Sequence, residues 1–139
     1  MQELAREEIE NIFGDSDRDC TIEDVAQMKY LECCIKEALR MYPSIGLIER
    51  SITRDIELEG YVVPSGTSVC MMIYANHYNE EWFPDPFTFK PERFQKDSDS
   101  NDAGMRHHPY AYIPFGAGPR NCIGKLDDNK LFCFPLLYY

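Results

Sequence analysis

A mainly α fold with a small antiparallel β-sheet, an α+β arrangement, is what this sequence predicts. Three observations carry that expectation. Two stretches, residues 2–13 and 21–41, set apolar residues at helical spacing. Between residues 44 and 75 the period shortens to two and glycine turns intervene. Residues 81–94 mix prolines with aromatics in a pattern that suits neither regular element.

The 139 residues suit one domain. With 44% apolar and 27% charged residues the composition is that of a globular chain rather than a disordered one. There are 14 Lys+Arg against 24 Asp+Glu, a net charge of −10, which argues against a general nucleic-acid binder. No run of 18 apolar residues exists to cross a membrane as a helix, and the acidic start lacks the pattern of a secretory signal. Cys20, Cys33, Cys34, Cys70, Cys122 and Cys133 show no regular spacing and no C-x-x-C. Reduced thiols are expected, without a zinc knuckle.

Residues 2–13 read as an acidic amphipathic helix with Leu4, Ile9, Ile12 and Phe13 as its apolar positions, stopped by Gly14. It begins without an N-cap before it, which hints at chain upstream. Thr21 and Asp24 form a capping box that starts a helix or helix pair running to about Met41, and Pro43 closes it. On a helical wheel Met28, Leu31, Ile35, Ala38, Leu39 and Tyr42 make one apolar stripe. Glu37 lies opposite it, with Tyr30, Cys33, Cys34 and Met41 nearby, and Arg40 lies between the two sides. Two readings stay open here. Glu37 and Arg40 are a solvated i,i+3 pair, or a semi-buried pair that needs a firm partner.

About three strands are expected next, with Ile56 and Leu58 alternating against Glu57 and Glu59, then Tyr61–Val63, then Val69–Tyr74. Ser65-Gly66 marks the turn between the last two, and Arg50 sits near the start of the region. Pro84, Pro86 and Pro91 forbid ladders or a long helix, so residues 81–94 read as coil pinned by Trp82, Phe83, Phe87, Phe89 and Phe94. Such coil needs side chains to satisfy its backbone, and the five donors of Arg93 suit that task. Residues 95–108 read as an exposed polar loop, and the pair His107-His108 reads as solvated rather than metal-binding.

The chemistry concentrates in residues 112–124, YIPFGAGPRNCIG. A phosphate loop is disfavoured, because five residues separate Gly118 from Gly124 and Leu126 follows Lys125. The dinucleotide fingerprint also fails, since Pro119 interrupts the helix start. A thiolate loop fits better. Arg120 lies two residues before Cys122, and Gly118 and Gly124 let backbone approach a flat cofactor. Phe115 adds an apolar surface that excludes water.

With these residues in view, the sequence resembles the C-terminal part of a cytochrome P-450, a heme-thiolate monooxygenase. Phe115-x-x-Gly118-x-Arg120-x-Cys122-x-Gly124 matches the heme loop of that family, Glu37-Ala38-Leu39-Arg40 its E-x-x-R helix, and Pro91-Glu92-Arg93-Phe94 the third element of the pattern. The wording around Tyr110–Pro114 is most similar to microsomal fatty-acid-type members of family 4, with a weaker likeness to insect ones. The resemblance covers residues 1–124, and residues 125–139 read as an atypical tail, almost wholly apolar from Leu131 and broken by Pro135.

The resemblance implies heme b (iron protoporphyrin IX) as cofactor, with Cys122 as the axial thiolate ligand and the metal-binding residue. Electron donation from such a thiolate favours O–O cleavage, a property known for this very class of enzyme. It implies that Phe115 shields the sulfur, that Gly118 and Gly124 permit close approach, and that Arg120 and Arg50 pair with the propionates. It implies a buried network of Glu37, Arg40 and Arg93, and a substrate pocket lined by Ser44 to Ile48. The implied reaction inserts one oxygen atom of O₂ into an apolar substrate such as a fatty acid, hormone or xenobiotic. Electrons would come from an NADPH-dependent reductase at the endoplasmic reticulum membrane, and no nucleic acid partner is implied. Whole members are several times longer, and no residue here matches the acid–alcohol pair of their distal helix. The alternative expectation is therefore a truncated, non-catalytic product lacking the distal heme pocket.

Overall fold

A computed structural model describes residues 1–95 and 108–126, with backbone alone at residues 125 and 126. Helix α1 (Gln2–Phe13) ends at Gly14, whose positive φ of 55° places its N–H on the Glu10 carbonyl at 2.7 Å. Ile9, Ile12 and Phe13 face inward, whereas Leu4 stays exposed. The short α2 (Ile22–Val25) carries the expected capping box. The Thr21 hydroxyl accepts the Asp24 N–H at 3.4 Å, and Asp24 accepts the Thr21 N–H at 2.8 Å. Arg18 grips the same carboxylate from outside and holds it well below the usual carboxylate range.

Helix α3 (Lys29–Met41) is the centre of the fold. Met28, Leu31, Ile35 and Leu39 bury one stripe together with Val25, and Ile12, Phe13, Cys20 and Phe115 pack on that cluster. Its first N–H groups have no cap from Met28. Glu8 of α1 supplies one instead, with Oε1 accepting from Tyr30 N–H at 2.8 Å and Oε2 from Leu31 N–H at 2.9 Å. This cap between two helices fixes the angle at which α1 meets α3.

The β region differs from the expected three-stranded meander. Strands β1 (Ile48–Ser51), β2 (Ile56–Leu58), β3 (Tyr61–Val63) and β4 (Ser68–Met71) form two antiparallel pairs, β1 with β4 and β2 with β3. Ser65-Gly66 does not join β3 to β4 as neighbours. Pro64 has no N–H to continue a ladder. Gly66 N–H instead bonds Ile52 O at 2.7 Å and Ile52 N–H bonds Thr67 O at 2.8 Å, which extends β1–β4. The tight hairpin is Leu58–Tyr61, whose loop residues Glu59 and Gly60 both have positive φ, 50° and 83°.

Residues 73–74, expected as strand, open helix α4 (Ile73–His77), because Ile73 and His77 lie four apart and both reach the core. The proline-rich segment is coil as expected, then one 3₁₀ turn, Pro91–Phe94. Phe83, Pro86 and Pro91 are fully buried and pin it, while Phe87 is exposed. A second 3₁₀ turn, Ile123–Leu126, closes the described chain. The expected polar loop falls outside the described residues from 96 to 107, as does the tail from 127 onward. Cys20, Cys33, Cys34, Cys70 and Cys122 are unpaired thiols.

Candidate functional site

The two open readings of Glu37 and Arg40 resolve to the buried one, since both side chains are 0% exposed. Arg40 Nε donates to Glu37 Oε2 at 2.8 Å and Nη2 to Oε1 at 2.9 Å, a bidentate fork. The remaining donors leave the pair: Nη1 reaches His77 O at 2.9 Å and Nη2 reaches Pro86 O at 2.7 Å. Glu37 Oε1 also accepts the Lys90 backbone N–H at 2.9 Å and faces Arg93 Nε at 3.3 Å. Arg93 Nη2 then donates to Asp85 O at 2.8 Å. Burial lowers the Arg93 pKa, against the raising effect of Glu37. Tyr78 and Phe83 present ring faces to the Arg40 guanidinium at 5.5 and 5.2 Å. Three side chains thus bind α3, α4 and the proline-rich coil into one body.

The glycine-rich segment lies against that body. Tyr112 donates its hydroxyl to Lys36 O at 3.1 Å and stacks near His77, and burial pushes its phenol well above the usual range. Asn76 Nδ2 donates to Tyr110 O at 2.6 Å and Ala111 O at 3.1 Å. The Cys122 N–H bonds Phe115 O at 2.8 Å and closes the loop into a ring of eight residues. Inside it Gly116 and Gly118 take φ of 72° and 81°. A Cβ on Gly118 meets nothing within 4 Å, so its face is open to an approaching group. The Cys122 thiol is exposed beside it.

The cleft next to this loop measures about 430 Å³. Apolar Ile48, Met71, Ile73 and Ile113 line it with Pro119, and the guanidinium-bearing Arg50 and Arg120 border it. Arg50 is the third residue of β1 and Arg120 is on the loop, yet the fold brings them to one opening. Phe115 packs on the α3 core cluster, and its carbonyl accepts the Cys122 N–H.

A sequence profile described as Cytochrome P-450 matches residues 1–126. Cytochrome P-450 4V2 of Homo sapiens is 46% identical over 125 residues, 90% of this chain and 23% of that protein. Cytochrome P-450 4c3 of Drosophila melanogaster is 46% identical, over 89% of this chain and 22% of its own length. Cytochrome P-450 4c21 of Blattella germanica is 43% identical over 143 residues, which takes in 100% of this chain and 28% of that protein. The chain belongs to the cytochrome P-450 family.

It spans about a quarter of the length of the relatives it matches, 22–28%. The cytochrome P-450 family is one of heme-dependent monooxygenases, and the donor set here fits such a group: an exposed thiol, an open glycine face, two arginines and an apolar cleft. Of the residues expected to line a substrate pocket, Ile48 lies in the cleft, while Ile45 and Leu47 are more than half exposed. No helix among the described residues is long and apolar enough to cross a membrane. His108 rests against Trp82 and Tyr110, and among the described residues no group of three His, Cys, Asp or Glu could hold a metal ion.

Sequence reasoning missed three contributors: Glu8, Asn76 and His77. The spacing of Ile73 and His77 was a usable signal, since i,i+4 pairs mark a helix face. Nothing local could reveal that Glu8 caps a helix more than twenty residues away.

Proposed function

We propose that this chain forms the thiolate side of a heme-dependent monooxygenase site. In this reading Cys122 binds iron of heme b as thiolate, and Arg50 and Arg120 pair with the propionates. Gly118 and Gly124 leave room for the flat face, and Phe115 keeps the loop on the core. When bound, the heme supplies the activation of O₂ for insertion of one oxygen atom into an apolar substrate. A fatty acid, hormone or xenobiotic fits an apolar cleft, with electrons from an NADPH-dependent reductase at the endoplasmic reticulum membrane. The protein's own task is to hold the sulfur, exclude water around it and balance two carboxylates.

One observation carries the reading. The loop closed by Cys122 N–H and Phe115 O stands beside a cleft that carries two arginines on otherwise apolar walls. A second reading, heme capture without turnover, is favoured for these residues alone by the exposure of Cys122 and by the openness around Gly118. An active site must keep water out.

The test is to add hemin to the chain, reduce it under CO and record the Soret band. A strongly red-shifted thiolate–CO band that vanishes in Cys122→Ala supports the site. A turnover assay with a reductase then separates the two readings. Absence of the band in the parent chain refutes assembly of the site by these residues.

A further inference from the structure

The imidazole of His77 bridges the end of α3 and the glycine-rich segment. It is 0% exposed, and it is neither in the cysteine loop nor among the charged residues of the lock. Its Nδ1 lies 3.1 Å from Arg40 O, at the end of α3. Its Nε2 lies 3.0 Å from the backbone N–H of Ile113, two residues before Phe115. The Ile113 amide can only donate, so Nε2 must accept, and the proton must sit on Nδ1 and point at Arg40 O. One state alone satisfies both contacts: the neutral ring with Nδ1–H. Arg40 returns the bond, its Nη1 donating to His77 O at 2.9 Å. The two residues therefore exchange backbone and side-chain bonds and form a single clasp.

We propose that His77 is the positioning residue of the cysteine loop, fixing the loop entrance to the Glu37–Arg40 lock through its neutral Nδ1–H form. Asn76 does not duplicate it. Asn76 donates to the carbonyls of Tyr110 and Ala111, which many donors could serve, whereas the partly buried Ile113 N–H takes its acceptor from the fully buried His77 ring. From Ile113 the chain runs through Pro114 to Phe115, whose carbonyl holds the Cys122 N–H. A shift at Ile113 is thus carried to the sulfur over a short, proline-stiffened path.

Protonation would undo the clasp. With a hydrogen on both ring nitrogens, Nε2–H would face Ile113 N–H, donor against donor. The surroundings hold the ring neutral, with its pKa lowered to about 4: burial is the main cause, the bond to the Arg40 carbonyl opposes it, and the Arg40 guanidinium adds to the lowering. The charged and titratable groups facing it are Arg40 with its partner Glu37 on α3, Arg93 of the 3₁₀ turn behind Glu37, Tyr78 next to it in the chain, and Tyr112 stacked 5.4 Å away. Phe83, from the proline-rich coil, adds an uncharged edge at 6.5 Å.

The two amide variants divide the contacts. His77→Gln places an acceptor where Nε2 stands and cannot titrate. His77→Asn places a donor where Nδ1 stands and leaves Ile113 unserved. Hydrogen exchange of the Ile113 amide in the full chain needs no heme. It is expected to quicken at least tenfold in His77→Asn and to stay within about threefold of the parent in His77→Gln. Between pH 6.5 and pH 4 the parent should lose Ile113 protection, and the Gln variant should lose clearly less. The thiolate–CO band, where hemin gives one, should fall at least twofold in His77→Asn and be kept in His77→Gln.

Parent-like Ile113 exchange in the Asn variant overturns the inference, and so does one pH profile shared by parent and Gln variant. An unchanged thiolate band in a variant that has lost Ile113 protection also overturns it. Should His77→Asn fail to fold by circular dichroism, the pH comparison of parent and Gln variant decides. The band readout rests on the heme-thiolate proposal. A parent without the band refutes that proposal, while exchange still judges the clasp.

Discussion

Replacing Glu37 with glutamine preserves shape and removes one charge from a site that holds two guanidiniums. The carboxylate accepts from Arg40 at 2.8 and 2.9 Å and from Lys90 N–H at 2.9 Å, and it faces Arg93 at 3.3 Å. A glutamine offers one acceptor oxygen, and its NH₂ turns a donor toward a guanidinium or toward the Lys90 amide. Breaking a buried pair by removing one partner costs about 3–5 kcal/mol, against a stability of about 5–15 kcal/mol for a domain of ordinary size. With a urea slope of about 2 kcal/mol/M, a loss of about 4 kcal/mol moves the midpoint down by about 2 M. Trp82 is the only tryptophan and lies in the coil the lock holds, so its fluorescence follows the transition. Glu32→Gln is the control. It breaks an i,i+4 pair with Lys36 whose side chains are 44% and 23% exposed, worth about 0.5 kcal/mol or less. A Glu37→Gln midpoint within about 0.3 M of the Glu32→Gln value, by the same slope, would refute this reasoning.

Other expectations follow from single contacts. Glu8→Ala should cost about 1–2 kcal/mol in urea melts, as lost caps do, and should speed exchange of the Tyr30 and Leu31 amides in particular. Glu59→Asn should add about 0.5–1 kcal/mol, because Glu59 sits at φ 50° ahead of Gly60 in a two-residue hairpin loop that favours Asn-Gly. Gly118→Ala should cost about 1–2 kcal/mol from its φ of 81° alone, since the added carbon meets nothing, and Gly118→Asn should recover part of that. Arg18 lowers the Asp24 pKa, so the stabilisation from that carboxylate is full above its unfolded range near pH 4 and is lost as pH falls through the lowered folded value. Arg18→Ala should therefore shift acid unfolding to higher pH, as read by circular dichroism.

How far the sequence discloses this arrangement depends on the range of each interaction. The capping box at Thr21 and Asp24 spans four residues and is legible in full. The lock is half legible. Glu37 and Arg40 share a helix and their spacing shows they can pair, but a wheel with apolar residues on two sides leaves burial open. Only the motif that carries Arg93, more than fifty residues on, supplies the missing partner. Pairing of β1 with β4, from Ile48 opposite Met71, overrides the nearest turn signal because Pro64 cannot extend the closer hairpin. Helix α4 fails local reading for a related reason. Ile73 and Tyr74 are good strand formers, and only the tertiary demand on Ile73 and His77 winds them into a helix.

The proline-rich coil explains why a buried ion pair is kept where an apolar pair of similar volume would ordinarily serve as well or better. Pro84, Pro86 and Pro91 remove backbone donors from a segment that is pressed against the core. The carbonyl of Pro86, drawn inside, cannot find a ladder partner, and neither can that of His77 at the end of α4. Arg40 answers both with one side chain, and Glu37 then neutralises Arg40 while taking the Lys90 N–H. An apolar substitute at 37 and 40 would fill the space and leave two carbonyls and an amide orphaned, each at about 1–3 kcal/mol. The pair is retained for its hydrogen bonds more than for its mutual attraction. Coil of this kind and the arginine that serves it stand or fall together.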